Sequence, residues 1–136
     1  MIITTTNGKR YRLECEGGSN ALMLYDSDKF LGDVTEIDVN VNKRLQIYFK
    51  HKGRDYGIPV TQIKRVKGTI KVKTSDYPIS FFAKNDKIFV KLGHREVILI
   101  KLSSINLGQS LSIVYSEAHK ICSFHSTHVV EELTST

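Results

Sequence analysis

The amino-acid sequence predicts a mainly β protein: an antiparallel sandwich or small barrel with an internal duplication and at most a short C-terminal helix. Three observations lead there. Apolar residues of high strand propensity recur at every second position. Glycine and Asn/Asp turns separate these runs. One strand–turn–strand unit is written twice. The alternation is clearest where Leu45, Ile47 and Phe49 interleave with Gln46, Tyr48 and Lys50. It recurs where Ile70 and Val72 interleave with Lys71 and Lys73, and where Ile88, Val90 and Leu92 interleave with Lys87, Phe89 and Lys91. Period two sends each apolar set to one sheet face and each lysine set to the other.

The turn signals follow in chain order. Asn7-Gly8, Lys52-Gly53-Arg54 and Gly93-His94-Arg95 read as tight hairpin turns, because these residues tolerate positive φ. Gly17-Gly18-Ser19-Asn20 reads as a loop, and Asp76-Tyr77-Pro78 and Asn85-Asp86 as turns. Beyond Ile105 two periods compete. Leu111, Ile113 and Tyr115 alternate with serines, whereas Leu111, Val114, Tyr115, Ala118, Ile121 and Cys122 fit a helical face. The expectation is a strand to about Ser116, then a short helix or turn, with residues 129–136 a helical turn or a frayed tail.

The written-twice unit sets residues 45–63 beside 88–105. Leu45, Ile47 and Phe49 match Ile88, Val90 and Leu92. A glycine turn follows in each, and then Ile58, Val60 and Ile63 match Ile100, Leu102 and Ile105. A fainter third copy begins the chain, where Gly8 to Leu13 echoes Gly53 to Ile58. Copies about 42 residues apart, two or three in number, are too few for a propeller or solenoid and suit a pseudo-symmetric sandwich or barrel. The reading is one domain over 1–136, with repeat-like units at about 42–72 and 85–115. The spacing Tyr-x-Ile-Pro-x-x-x-Ile-x-x-Val-x-Gly-x-Ile-x-Val from Tyr56 to Val72 resembles a segment common in pleckstrin-homology-like and related small β-barrels. The resemblance implies a small barrel. It departs from that pattern in lacking a long C-terminal helix to close it, and it implies no function.

Charge is unevenly spread. The net charge is +6 over 136 residues. Residues 1–40 carry −3, residues 41–101 carry +11 and residues 102–136 carry −2. A basic middle between acidic ends points to one positive surface. Lysine also protects strand edges from aggregation, which is the plainer explanation of such a pattern. The longest aliphatic run, Val97 to Ile100, is far short of the roughly 20 residues of a membrane helix. Met1 to Thr6 lacks the basic and apolar regions of a secretory signal. Cys15 and Cys122 are too few for a disulfide framework and read as reduced thiols. A cytoplasmic place, or one within a viral particle, is expected.

The candidate chemistry lies on the lysine face. Tyr48 beside Lys50, Phe89 between Lys87 and Lys91, and Lys71 with Lys73 form a ligand-binding set that neutralises phosphates and stacks bases. The competing reading packs Tyr48 and Phe89 under a loop or a second subunit, with lysine stems covering them. His119, Cys122, His125 and His128 recur at every third position but miss the usual zinc-ligand spacing, so no metal is expected. Asp26-x-Asp28 fails as a calcium loop, since Leu31 and Ile37 stand where Gly and Glu are needed. Glu14 and Glu16, and Asp26, Asp28 and Asp33, are the carboxylates near one another, and they are expected to be solvated. No P-loop or nucleophile motif is present. The expectation is a non-enzymatic interaction module without cofactor, whose basic β-face binds nucleic acid or a nucleotide-like ligand. The alternative is a structural or assembly subunit of a larger complex, such as a virion or appendage, self-associating through β-surfaces.

Overall fold

Where apolar residues recur at every second position the chain extends, and antiparallel neighbours satisfy its backbone groups. The computed structural model describes residues 1–15, 21–39, 45–74, 78–103 and 105–136, with side chains for all of these except 126–132. The expected loop at Gly17 to Asn20, Glu16, the Asp76-Tyr77 part of a turn, and the His128 side chain lie outside the described residues. In chain order the strands are β1 (Ile2–Thr5), β2 (Arg10–Glu14), β3 (Met23–Asp26), β4 (Lys29–Val39), β5 (Leu45–His51), β6 (Arg54–Val60) and β7 (Ile63–Lys67). They continue as β8 (Thr69–Thr74), β9 (Pro78–Lys84), β10 (Lys87–Leu92), β11 (Arg95–Ser103), β12 (Ser110–Glu117) and β13 (Lys120–Ser135). The result is an all-β, curled antiparallel sheet, with no helix among the described residues. Among the described residues no helix is therefore long and apolar enough to cross a membrane.

Except around β7, strands adjacent in sequence pair antiparallel. Lys52-Gly53, Asn85-Asp86 and Ala118-His119 each take positive φ at both positions of a two-residue turn, the geometry that matches the twist of the flanking strands. At the first turn of the chain only Gly8 takes positive φ, and the turn is wider, with Thr5 N–H donating to Lys9 O at 2.9 Å.

The ladder makes two circuits. In the first, β1 to β6 pair in sequence, and the chain continues from β6 through Thr61 and Gln62 into β7, which pairs with β1. In the second, β8 to β13 pair in sequence, and the far end of β13 pairs with β8. The circuits share register. Ile3 opposes Tyr11 as Val72 opposes Ile79, and Leu13 opposes Leu24 as Phe81 opposes Val90. Ile37 opposes Ile47 as Leu102 opposes Ile113. They also share irregularities. The β4–β5 ladder slips past Thr35 and the β11–β12 ladder past Ile100. The β1–β7 ladder slips past Lys64 and the β8–β13 ladder past Glu131. A bulge is a positioned feature rather than a random defect, so two bulges at matching places mark a duplicated unit.

Among the contacts that join the circuits, two places follow a two-fold relationship. In β4–β11, Ile37 opposes Leu102, flanked by Asp38 opposite Lys101 and Glu36 opposite Ser103. At the other join Ala83 N–H donates to Gly68 O at 3.2 Å, and at the corresponding place Cys15 N–H donates to Ser135 Oγ at 2.9 Å. Self-complementary contacts of this kind characterise a two-fold interface. Side chains from both circuits, among them Ile3, Leu13, Leu24, Ile37, Phe81 and Leu102, form one buried core.

The duplication thus relates β5–β6 to β12–β13, and β10–β11 to β3–β4. Hairpins with similar turns and alternation look alike in sequence, and only closure of the ladder tells which are equivalent. The segment resembling pleckstrin-homology-like barrels runs from β6 into β8 and so crosses the boundary between circuits. The helical options for the C-terminal segment are corrected. A turn at Ala118-His119 follows β12, and β13 continues to Ser135. Its last residues supply hydrogen-bond partners that β8 would otherwise lack, and an unpaired edge is disfavoured.

Candidate functional site

Strand parity brings five of the seven sequence-selected residues together. On β8, Ile70 and Val72 point into the core, leaving Lys71 and Lys73 exposed. On β10, Ile88, Val90 and Leu92 are buried, so Lys87, Phe89 and Lys91 face outward. Between them β9 buries Ile79 and Phe81 and turns Ser80 and Phe82 to the same outer face. Lateral rows cross these strands. One runs Thr134, Lys71, Ser80, Lys91, Glu96 from β13 to β11. The next runs Thr69, Phe82, Phe89, Ile98. Lys84 and Lys87 oppose each other beyond it, and on the far side Lys73 stands between Pro78 and Glu132.

The face has a hydrophobic centre and a cationic rim. The Phe82 and Phe89 rings stack at 5.9 Å between centroids with 22° between planes. Lys84 Nζ lies 5.9 Å from the Phe89 centroid and 3.6 Å from Glu96 Oε2, an exposed ion pair. No ion pair engages Lys71, Lys73, Lys87 or Lys91 among the described residues. Ile98, 42% exposed, extends the apolar centre onto β11. The arrangement offers two half-buried rings to a planar group and several ammonium groups to anions around it.

Tyr48 and Lys50 stand elsewhere. They lie on β5, whose ladder partners are β4 and β6. Tyr48 is between Glu36 and Gly57, and a Cβ on Gly57 would come within 3.0 Å of its ring. Lys50 is between Asp33 and Asp55, with Nζ 3.8 Å from Asp55 Oδ1. Asp55 compensates its charge, and β5 borders none of β8, β9 and β10, so the structure does not join this pair to the lysine face.

Phe82, Lys84 and Ile98 belong to the face and escape sequence reading. Phe81-Phe82 carries a signal, since neighbouring residues on a strand face opposite ways, but which ring is outward follows only from the pairing of β9. Of the C-terminal residues, Cys122 packs against the core and His125 is exposed on β13, with Nδ1 3.0 Å from Ser112 Oγ. Period two puts these two on opposite faces, which does not suit a shared metal. Among the described residues no group of three or more His, Cys, Asp or Glu is placed to hold a metal ion. Burial pushes the Cys15 thiol up to about 11, against the opposing influences of the N-terminal ammonium and the Ser135 hydroxyl. A thiol protonated at neutral pH is a weak nucleophile. Comparison with family models, with curated proteins and with solved structures found no match for this chain.

Proposed function

We propose that the chain is a non-enzymatic interaction module that binds nucleic acid, or a related nucleotide-like polyanion, on the outer face of β8, β9 and β10. The observation that carries this reading is the stacked Phe82–Phe89 pair ringed by Lys71, Lys73, Lys84, Lys87 and Lys91, with Glu96 the one carboxylate in ion-pair contact with them among the described residues. Lysines neutralise phosphates and release counterions, and exposed rings stack on bases whatever their sequence. The test is anisotropy of a labelled single-stranded oligonucleotide titrated across salt concentrations. Five phosphate contacts give a slope of about −3 to −4 in log K against log salt, about a hundredfold loss between 50 and 200 mM. Binding absent at low salt would remove the reading.

The assembly reading has its own support. Ile98 is 42% exposed and Ile121 is 75% exposed, and their register rows meet through Ser116. Exposed aliphatic side chains in one stripe suit a protein contact. Sedimentation over a wide concentration range checks this, with a strict monomer counting against it and Ile121→Lys expected to weaken any association.

A further inference from the structure

The duplication directs attention to the same outer face of the first circuit. There the register row equivalent to Thr134, Lys71, Ser80, Lys91, Glu96 reads Lys67, Ile2, Arg12, Tyr25, Phe30. The adjoining row reads Arg65, Thr4, Arg10. The row equivalent to Phe82, Phe89, Ile98 reads Glu14, Met23, Asp33, so the rings have moved one row over to Tyr25 and Phe30, where cations again border them. The Arg12 guanidinium carbon lies 4.8 Å from the Tyr25 centroid, Tyr25 and Phe30 are 5.5 Å apart, and Phe30 meets His51 at 6.0 Å. Phe30 is 42% exposed. Arg12 also pairs with Glu14 at 3.0 Å, which holds its guanidinium over the Tyr25 ring. Arg10, Arg65 and Lys67 are exposed, and no ion pair engages them among the described residues. A shallow depression lined by Arg10, Arg12, Ser27 and Asp28 lies beside this row.

We propose that this face is a second binding surface for single-stranded nucleic acid, so that one chain holds two segments through two pseudo-symmetric faces. The inference rests on the function proposed above. The occupant follows from charge and shape together. Arg10, Arg65 and Lys67 attract phosphates, and the exposed Phe30 ring takes an unpaired base, which a duplex keeps stacked inside.

Titration calorimetry of the full chain with an oligonucleotide of about eight nucleotides tests it. The expected stoichiometry is two per chain. Arg10→Glu with Arg65→Glu should reduce it to one, Lys71→Glu with Lys91→Glu should also reduce it to one, and the four together should abolish binding. Phe30→Ala should weaken the first-circuit site about tenfold to a hundredfold and Phe30→Tyr should restore it. Circular dichroism checks that each variant keeps its strands. A strand long enough to reach both faces should bind more tightly than the short one, by a factor of about a hundred or more if the span is matched. One equivalent, insensitive to Arg10 and Arg65, would overturn the second site and leave the proposed function standing. One equivalent, insensitive to Lys71 and Lys91, would overturn the two-face inference and the choice of face. No binding by any form at low salt would overturn both readings.

Discussion

Thr69 and Thr136 exchange both of their backbone hydrogen bonds: Thr69 N–H donates to Thr136 O at 3.3 Å, and Thr136 N–H donates to Thr69 O at 2.9 Å. The pair extends the β8–β13 ladder one step beyond Ile70 and Ser135, at the seam where the two circuits meet. Gly68 sits against this seam with φ +103, and a Cβ there would stand 2.5 Å from Thr136 O and 2.9 Å from Met1 Cα. Gly68→Ala therefore strains the backbone and crowds the join. A loss of about 1–3 kcal/mol is expected, read as a lower urea midpoint with unchanged slope.

Ile37 and Leu102 are both buried and oppose each other at the second join. Each truncation, Ile37→Ala or Leu102→Ala, should cost about 2–5 kcal/mol. Because the two side chains share one contact, the double variant should depart from additivity by about 0.5 kcal/mol or more. Equilibrium unfolding of the four proteins in a double-mutant cycle measures this. Strict additivity would mean the two circuits do not support each other there.

Lys50 and Lys91 separate a compensated lysine from a free one. Lys50 stands between Asp33 and Asp55, whereas Lys91 stands between Ser80 and Glu96, and Glu96 is engaged by Lys84. Lys91→Ala should weaken oligonucleotide binding and flatten its salt slope by about 0.7. Lys50→Ala should leave both within error and change stability by no more than about 1 kcal/mol, as for an exposed ion pair. Anisotropy and thermal melts of the two variants side by side decide it.

The Cys15 thiol sets a pH dependence. Its folded pKa is raised from 9.0 to about 11, chiefly by burial. Between those values the folded state holds a proton that the unfolded state has released, so stability falls as pH rises through 9 towards 11. Cys15→Ala should lack this component. Melting temperatures of both proteins from pH 7 to pH 11 give the difference, and parallel curves would show that the thiol does not contribute.

The β architecture was legible because inward positions such as Ile47, Val72 and Val90 keep strict alternation, and burial of one face enforces it. The C-terminal strand was obscured because Leu111, Tyr115 and Cys122 also satisfy a helical period; what selects the strand is the open edge of β8, which no local window contains. The duplication was visible as likeness between hairpins but not in its true frame. Core positions equivalent in the ladder have changed identity, Tyr11 for Ile79 and Leu13 for Phe81, while much of the register and the bulges past Thr35/Ile100 and Lys64/Glu131 persisted. The same limit applies to the site. Parity alone places Lys71, Lys73, Lys87, Phe89 and Lys91 outward, but only strand order sets them side by side, adds Phe82 and Lys84, and puts Asp33 and Asp55 around Lys50.

Gly68 links two halves that meet as a symmetric pair would. A free pair of such halves would dissociate on dilution, and its stability would depend on protein concentration. Tethered through one residue, the halves face each other at an effective concentration in the millimolar range or above, whatever the concentration of the chain. The tether also frees the two copies from having to be identical, which a homodimer cannot escape. Phe30 and Glu96, at corresponding places in the ladder, show how far that freedom has been used.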